Sequence, residues 1–169
     1  MALAADNRLA AVSVEIDGAL EDLCVAGYID RMDAVDDGVI VIDYKTGSTE
    51  IPVKEMRAGR NFQMMVYLLA AQRVLEAQLG TDTPRRVLGG LFWHISTRKA
   101  SGDMRLDDPD SAAALDEARA HLGRCISAAR RGDYSVAPRK LENGRCAAYC
   151  EFAQLCRVSS VNRYKREAD

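Results

Sequence analysis

The stretch Val39-Ile40-Val41-Ile42-Asp43-Tyr44-Lys45-Thr46-Gly47 constrains this chain more than any other, because an apolar run of strand-forming residues leads straight into two charges and then a turn. Side chains alternate along a strand, so Asp43 and Lys45 share one face at the end where the strand emerges. Upstream, Gly27-Tyr28-Ile29-Asp30 ends in a second acid. Any hairpin with an even loop centred on Asp36 to Gly38 brings Asp30 to the same face. Pairing across Asp37-Gly38 sets Asp30 opposite Lys45 and diagonal to Asp43, and a slip of two residues sets it opposite Asp43. An odd loop without a compensating bulge breaks the cluster.

Two carboxylates beside one ammonium suit a hard divalent ion, Mg²⁺ or Mn²⁺, which takes a few carboxylate oxygens, keeps several waters and completes its shell with a substrate phosphate. The backbone carbonyl of Tyr44 is a further candidate ligand, and Lys45 is placed to orient a metal-bound hydroxide. The plain alternative is a solvated hairpin with an ordinary Asp–Lys pair. Gln63 and Tyr67 lie four apart in a helical stretch, hence on one face a turn apart. An amide and a phenol suit a phosphate or a base of DNA, against the alternative of a boundary glutamine and a mostly buried tyrosine.

Strand-like alternation over residues 10–17, 23–33 and 39–45, with Asp17-Gly18 and Asp37-Gly38 as turns, predicts a three-strand meander. Helical spacing from about 59 to 79, closed by Gly80, predicts a long helix. Pro84 interrupts the chain, and residues 87–95 read as a fourth strand in which Gly89-Gly90 permits close packing. A polar loop through Ser101-Gly102 precedes a second helix from Pro109 to about Arg131, stopped by Gly132. The order βββαβα predicts an α/β fold, a mixed sheet covered by helices, with residues 1–135 as the core and a Cys-rich basic tail, 136–169, packed on it.

With 169 residues, 48% of them hydrophobic, the chain forms one globular domain rather than a disordered or fibrous one. Its longest apolar run, residues 64–71, is far short of the ~20 residues a membrane helix needs, and Asp6 and Arg8 stand where a signal peptide is apolar. The expectation is a soluble cytoplasmic protein with no membrane partner. The formal charge of −2 does not advertise a nucleic-acid binder, yet residues 15–43 hold nine acids and one base while 139–166 hold seven bases and two acids. No G-x-x-x-x-G-K-[ST] loop occurs, which places any ATP-driven motor elsewhere. Five cysteines are an odd count, and Cys146, Cys150 and Cys156 fall within eleven residues, a spacing that favours a metal or iron–sulfur site over a disulfide framework. Among other tempting groups, His94 beside Trp93 reads as a packed or edge residue more than a ligand, and His121 as an exposed mid-helix residue.

Taken together, G-x-I-D at 27–30, D-Y-K-T-G at 43–47 and Q-x-x-x-Y at 63–67, in that order on strand, strand and helix, closely resemble the PD-(D/E)XK nuclease superfamily, with the RecB/AddB-like branch as the best match over roughly residues 12–160. The resemblance implies a restriction-endonuclease-like fold with a βββαβ core. It also implies that Asp30 and Asp43 bind the metal, that Lys45 is the catalytic lysine, and that Gln63 and Tyr67 form the helix motif beside the active site.

The tail is similar to those of AddB-type nucleases and CRISPR-associated RecB-like exonucleases, whose three C-terminal cysteines join a fourth, before the first core strand, around a 4Fe–4S cluster. Here the spacing is C-x₃-C-x₅-C instead of C-x₂-C-x₅-C, and no cysteine precedes Cys24. The fourth ligand is therefore not identified: Cys24 and Cys125 are candidates, each against the alternative of a buried small apolar residue. A colourless zinc site is the competing metal centre. Residues 1–9 leave no room for the family's leading helix, which predicts a piece of a longer protein or a shortened homologue. The resemblance implies a Mg²⁺-dependent DNA exonuclease working with a helicase domain or partner subunit in double-strand-break repair. Its competitors are a stand-alone CRISPR-associated exonuclease and a catalytically silent DNA-binding or scaffold module of the same fold.

Overall fold

Asp17 and Gly18 both take positive φ, 51° and 81°, the backbone twist that suits a two-residue hairpin. They join β1 (Val12–Ile16) to β2 (Ala19–Leu23), with Ile16 opposite Ala19. These two strands form their own sheet. A second sheet runs β3 (Arg31–Val35), β4 (Gly38–Lys45), β5 (Arg86–His94) and β6 (Lys99–Arg105), in that spatial order. The computed structural model describes residues 11–35, 38–78 and 86–135. The chain divides into two units, Met1–Arg130 and Arg131–Asp169, the first of which holds all of the described strands and helices. The tail cysteines Cys146, Cys150 and Cys156, the Asp37 turn residue and the Gly80 helix stop lie outside the described residues.

The predicted three-strand meander is corrected. Of residues 23–33, Leu23 ends β2, which pairs with β1, residues 31–33 begin β3, which pairs with β4, and residues 24–30 connect the two ladders without pairing in either. Yet the inward–outward alternation runs unbroken from Leu23 through Val25 and Gly27 to the buried Ile29. Period-two burial reports which face of an extended chain is covered, not which strand it pairs with, so the change of partner left no mark on the pattern. In the β3–β4 hairpin Val35 pairs with Gly38 and Arg31 with Ile42. Two positions therefore separate the paired ends, and continuing the register brings Asp30 opposite Asp43. The even loop holds, in the slipped register.

β4 and β5 pair in parallel while their outer neighbours pair antiparallel, so the sheet is mixed. A parallel pair needs a crossover, and it is made by α1 (Val53–Arg57) and α2 (Gln63–Gln78). The long helix starts four residues later than its periodicity suggests. Gly59 takes φ +66°, and a Cβ there would stand 2.7 Å from the ring of His121, while Asn61 Oδ1 accepts the backbone N–H of Gln63 and caps the helix that follows. His121 is thus half-buried against this turn rather than exposed.

The residues expected to form a polar loop after β5 include β6, so the order is ββββααββα. Its inward positions are Gly102 and Met104, and a glycine contributes no hydrophobic signal. At Gly89 a Cβ would meet Met104 O at 1.9 Å, and at Gly90 it would meet Met64 Sδ at 2.6 Å. Close strand and helix packing over β5 therefore requires the glycine pair. α3 (Pro109–Arg130) lays Ser111, Ala114, Ala118, Gly123 and Ser127 inward, small enough that Gly123 sits directly on the backbone of β1, where a Cβ would come 2.1 Å from Glu15 O. The centre of the core is filled by Val12, Val14, Val41, Met64, Met65, Leu68, Phe92 and Met104 from β1, β4, α2, β5 and β6.

Candidate active site

β4 carries its alternation Val39, Val41, Asp43 along the buried face, so the strand delivers a carboxylate into the core one alternation after its last valine. Asp43 is only 3% exposed. A buried charge must be paired and hydrogen-bonded, and two side chains meet that need, with a third behind them. Lys45 Nζ lies 2.7 Å from Asp43 Oδ2 and donates to Gln63 Oε1 at 2.6 Å. Gln63 Nε2 donates to Asp43 Oδ1 at 2.9 Å and to the Tyr67 hydroxyl at 3.1 Å. The amide can face only one way, since a flip would set its NH₂ against the ammonium and its oxygen against the carboxylate. Lys45 also lies 5.1 Å over the ring of Phe92, Asp43's register partner on β5, which adds a cation–π contact and keeps the ammonium pointed inward.

Four of the sequence-derived candidates thus form one connected network. The fifth, Asp30, stands at the end of β3, exposed, with Oδ2 accepting the backbone N–H of Tyr44 at 2.9 Å. Its carboxylate therefore lies over the Asp43–Tyr44 peptide, as the register demands. The Tyr44 side chain alternates to the other face, where its hydroxyl accepts a hydrogen bond from Arg31 at 2.9 Å. Arg31 is also joined to Asp33 at 2.7 Å by two bonds, which hold the Asp33 carboxyl below the usual carboxylate range.

Whether this site fits a divalent ion can be tested on its own atoms. Asp43 Oδ2 is buried and receives no hydrogen bond; Lys45 Nζ touches it at 2.7 Å as an ionic contact, off the direction of a hydrogen bond. A buried carboxylate oxygen with spare lone pairs, next to a second, solvent-facing carboxylate, is the donor set a hard cation uses. The residues fit. Among the described residues no group of three or more His, Cys, Asp or Glu side chains is placed to hold a metal, so the remaining ligands would be water, backbone or substrate.

Other candidates go elsewhere. His94 is 1% exposed and bonds Gly47 and Ser101, in keeping with a packed residue; no sequence signal marked Ser101 as its partner. Cys24 and Cys125 are free and exposed, which corrects the expectation that each is a buried small apolar residue. Cys24 points outward in the segment between β2 and β3, and Cys125 lies on the outer side of α3.

A family model described as the PD-(D/E)XK nuclease superfamily matches residues 2–157. The chain is 32% identical over 80 residues to an ATP-dependent helicase/deoxyribonuclease subunit of Streptococcus uberis, covering 47% of this chain and 7% of that protein. It is 39% identical over 69 residues to the subunit of the same name from Carboxydothermus hydrogenoformans, covering 38% and 6%. The chain therefore spans under a tenth of the length of these relatives. No solved structure matches.

Proposed function

Because this chain belongs to the PD-(D/E)XK nuclease superfamily, we propose that it is the metal-dependent deoxyribonuclease domain of an AddB/RecB-like helicase–nuclease acting in double-strand-break repair. The observation that carries the reading is the closed Asp43–Lys45–Gln63–Tyr67 network, in which the buried Asp43 Oδ2 is met by the Lys45 ammonium but receives no hydrogen bond. The names of the two relatives, helicase/deoxyribonuclease subunits, support DNA as substrate and a helicase domain or partner subunit beside it.

In this mechanism Asp30 and Asp43 would hold Mg²⁺ or Mn²⁺, with the Tyr44 carbonyl as a further candidate ligand. When bound there, such an ion would supply a water of lowered pKa and charge stabilisation for the phosphodiester. Lys45 is a quarter exposed and so reaches both the buried carboxylate and the solvent side, where it orients the attacking oxygen. Gln63 holds Lys45 and Asp43 at a set separation by bonding both, which is the preorganisation that limits reorganisation during the reaction. Tyr67 fixes the Gln63 amide and faces the DNA phosphate. Cys146, Cys150 and Cys156, with a fourth ligand still to be identified, hold a 4Fe–4S cluster in this reading, and their basic surroundings neutralise phosphates.

The test is cleavage of end-labelled single- and double-stranded DNA by the anaerobically purified chain, with Mg²⁺ or EDTA, beside Lys45→Ala. Cleavage requiring both Mg²⁺ and Lys45 is the expected result and reports polarity and strand preference. A folded wild-type chain that binds DNA and cuts nothing would make it a silent binding module of the same fold.

A further inference from the structure

A second polar cluster lies beside the network, where β4, β5 and β6 meet the segment after Lys45. The buried ring of His94 stands with Nδ1 at 2.8 Å from Gly47 O and Nε2 at 2.8 Å from Ser101 Oγ. Ser101 Oγ also accepts the backbone N–H of Ile51 at 3.0 Å. For a neutral ring, one proton arrangement serves all three contacts. A carbonyl only accepts, so Nδ1 must carry hydrogen; Nε2 is then the acceptor, and the Ser101 hydroxyl donates to it while accepting from Ile51. The opposite tautomer would set the Nδ1 lone pair against the Gly47 carbonyl.

The segment held this way is residues 46–51, which leaves β4 immediately after Lys45 and leads into α1. It is gripped near its start at Gly47 and at its end at Ile51. Lys45 is the register partner of His94, and its carbonyl accepts the N–H of Ile95 at 2.9 Å. Ile51 presses so close to β6 that a Cβ on Gly102 would stand 2.6 Å from its carbonyl oxygen. The backbone from which Lys45 reaches Asp43 and Gln63 is thus anchored on both sides of the strand end.

We propose that His94 is a positioning residue: its Nδ1–H bond to Gly47 O, with the Ser101 hydroxyl donating to Nε2, fixes the end of β4 and through it the aim of Lys45. This rests on the nuclease reading above, and His94 itself touches neither DNA nor metal.

The experiment uses two substitutions that differ in where they put an N–H. His94→Asn places its amide nitrogen at the position of Nδ1, and His94→Gln places it at the position of Nε2; both are first checked for cooperative melting. Small misplacements of a reacting group carry large rate costs, so His94→Asn should keep kcat within about threefold of wild type while His94→Gln loses on the order of tens of fold, with KM for DNA little changed in both. Equal loss, equal retention, or a change confined to KM would overturn the proposal. The second readout needs no cleavage. The chain has two histidines, so an imidazole ¹⁵N spectrum assigned with His94→Asn reads the tautomer directly. Nδ1-protonated His94 is expected, and any other protonation pattern overturns the arrangement. A wild-type chain that cuts no DNA at all overturns the nuclease reading and the positioning role together, while the tautomer stands or falls on its own spectrum.

Discussion

Asp43 concentrates the problem this chain solves around a single side chain. A carboxylate at 3% exposure is tolerable because Lys45 and Gln63 close around it, and removing either partner leaves a buried charge short of compensation. Lys45→Ala should therefore destabilise the fold by about 1–3 kcal/mol, discounted from a fully buried pair because the lysine is a quarter exposed. The same charge is what a divalent ion would bind, and a ligand that binds only the folded state raises its stability. Millimolar Mg²⁺ should raise the melting temperature of wild type relative to EDTA and leave that of Asp43→Ala unmoved. Equal shifts in the two proteins would remove Asp43 from the metal site. The identities of these residues could be read from the chain alone, because strand alternation puts Asp43 with Lys45 and a helical turn puts Gln63 with Tyr67. Their mutual bonds could not, since they join residues about twenty positions apart on different elements.

Elements were legible where their ends carry side-chain chemistry. α3 begins at Pro109, as its sequence suggests, and Asp108 just before it accepts both the N–H of Ser111 at 3.0 Å and its hydroxyl at 2.8 Å. That hydroxyl bond, more than the backbone bond, holds the Asp108 carboxyl below the usual carboxylate range. A carboxylate with a lowered folded-state pKa contributes stability above its ordinary titration, near pH 4, and loses it as pH falls through the lowered value. Asp108→Ala should accordingly melt a few degrees below wild type near neutral pH, and the gap should narrow as pH falls below the ordinary carboxylate range. A gap that persists in acid would mean the residue acts by something other than its charge. α1 and β6 left no sequence signal, for opposite reasons. α1 is five residues, too short to show a period, and β6 buries a glycine where a period needs a hydrophobic side chain.

Across the whole chain, charge and chemistry separate. The described unit carries the carboxylates, while the basic excess and the cysteine cluster belong to residues 136–169. In the reading proposed above the two parts have independent chemistry, and this can be checked without cutting DNA. The anaerobically purified full chain should be brown and contain iron, and Cys150→Ser should lose both colour and iron while keeping the Mg²⁺-dependent rise in melting temperature. A colourless protein containing zinc would replace the cluster with a zinc site, and loss of the Mg²⁺ response in Cys150→Ser would mean that the two centres depend on each other.

Local order along the chain was enough to settle most of which residues are strand, which are helix, and which polar groups share a face, because alternation, helical spacing and turn chemistry act over a few residues. It also carried the motif that marks the family, whose model matches residues 2–157. Partnership lay beyond its reach. That β2 joins β1 while β3 joins β4, that Asp30 falls opposite Asp43 rather than Lys45, and that a buried histidine bonds Gly47 through one nitrogen and a serine on an edge strand through the other all depend on contacts between distant segments. Such contacts are selected by the packing of the assembled core, and no pattern along one strand records the strand it will lie against.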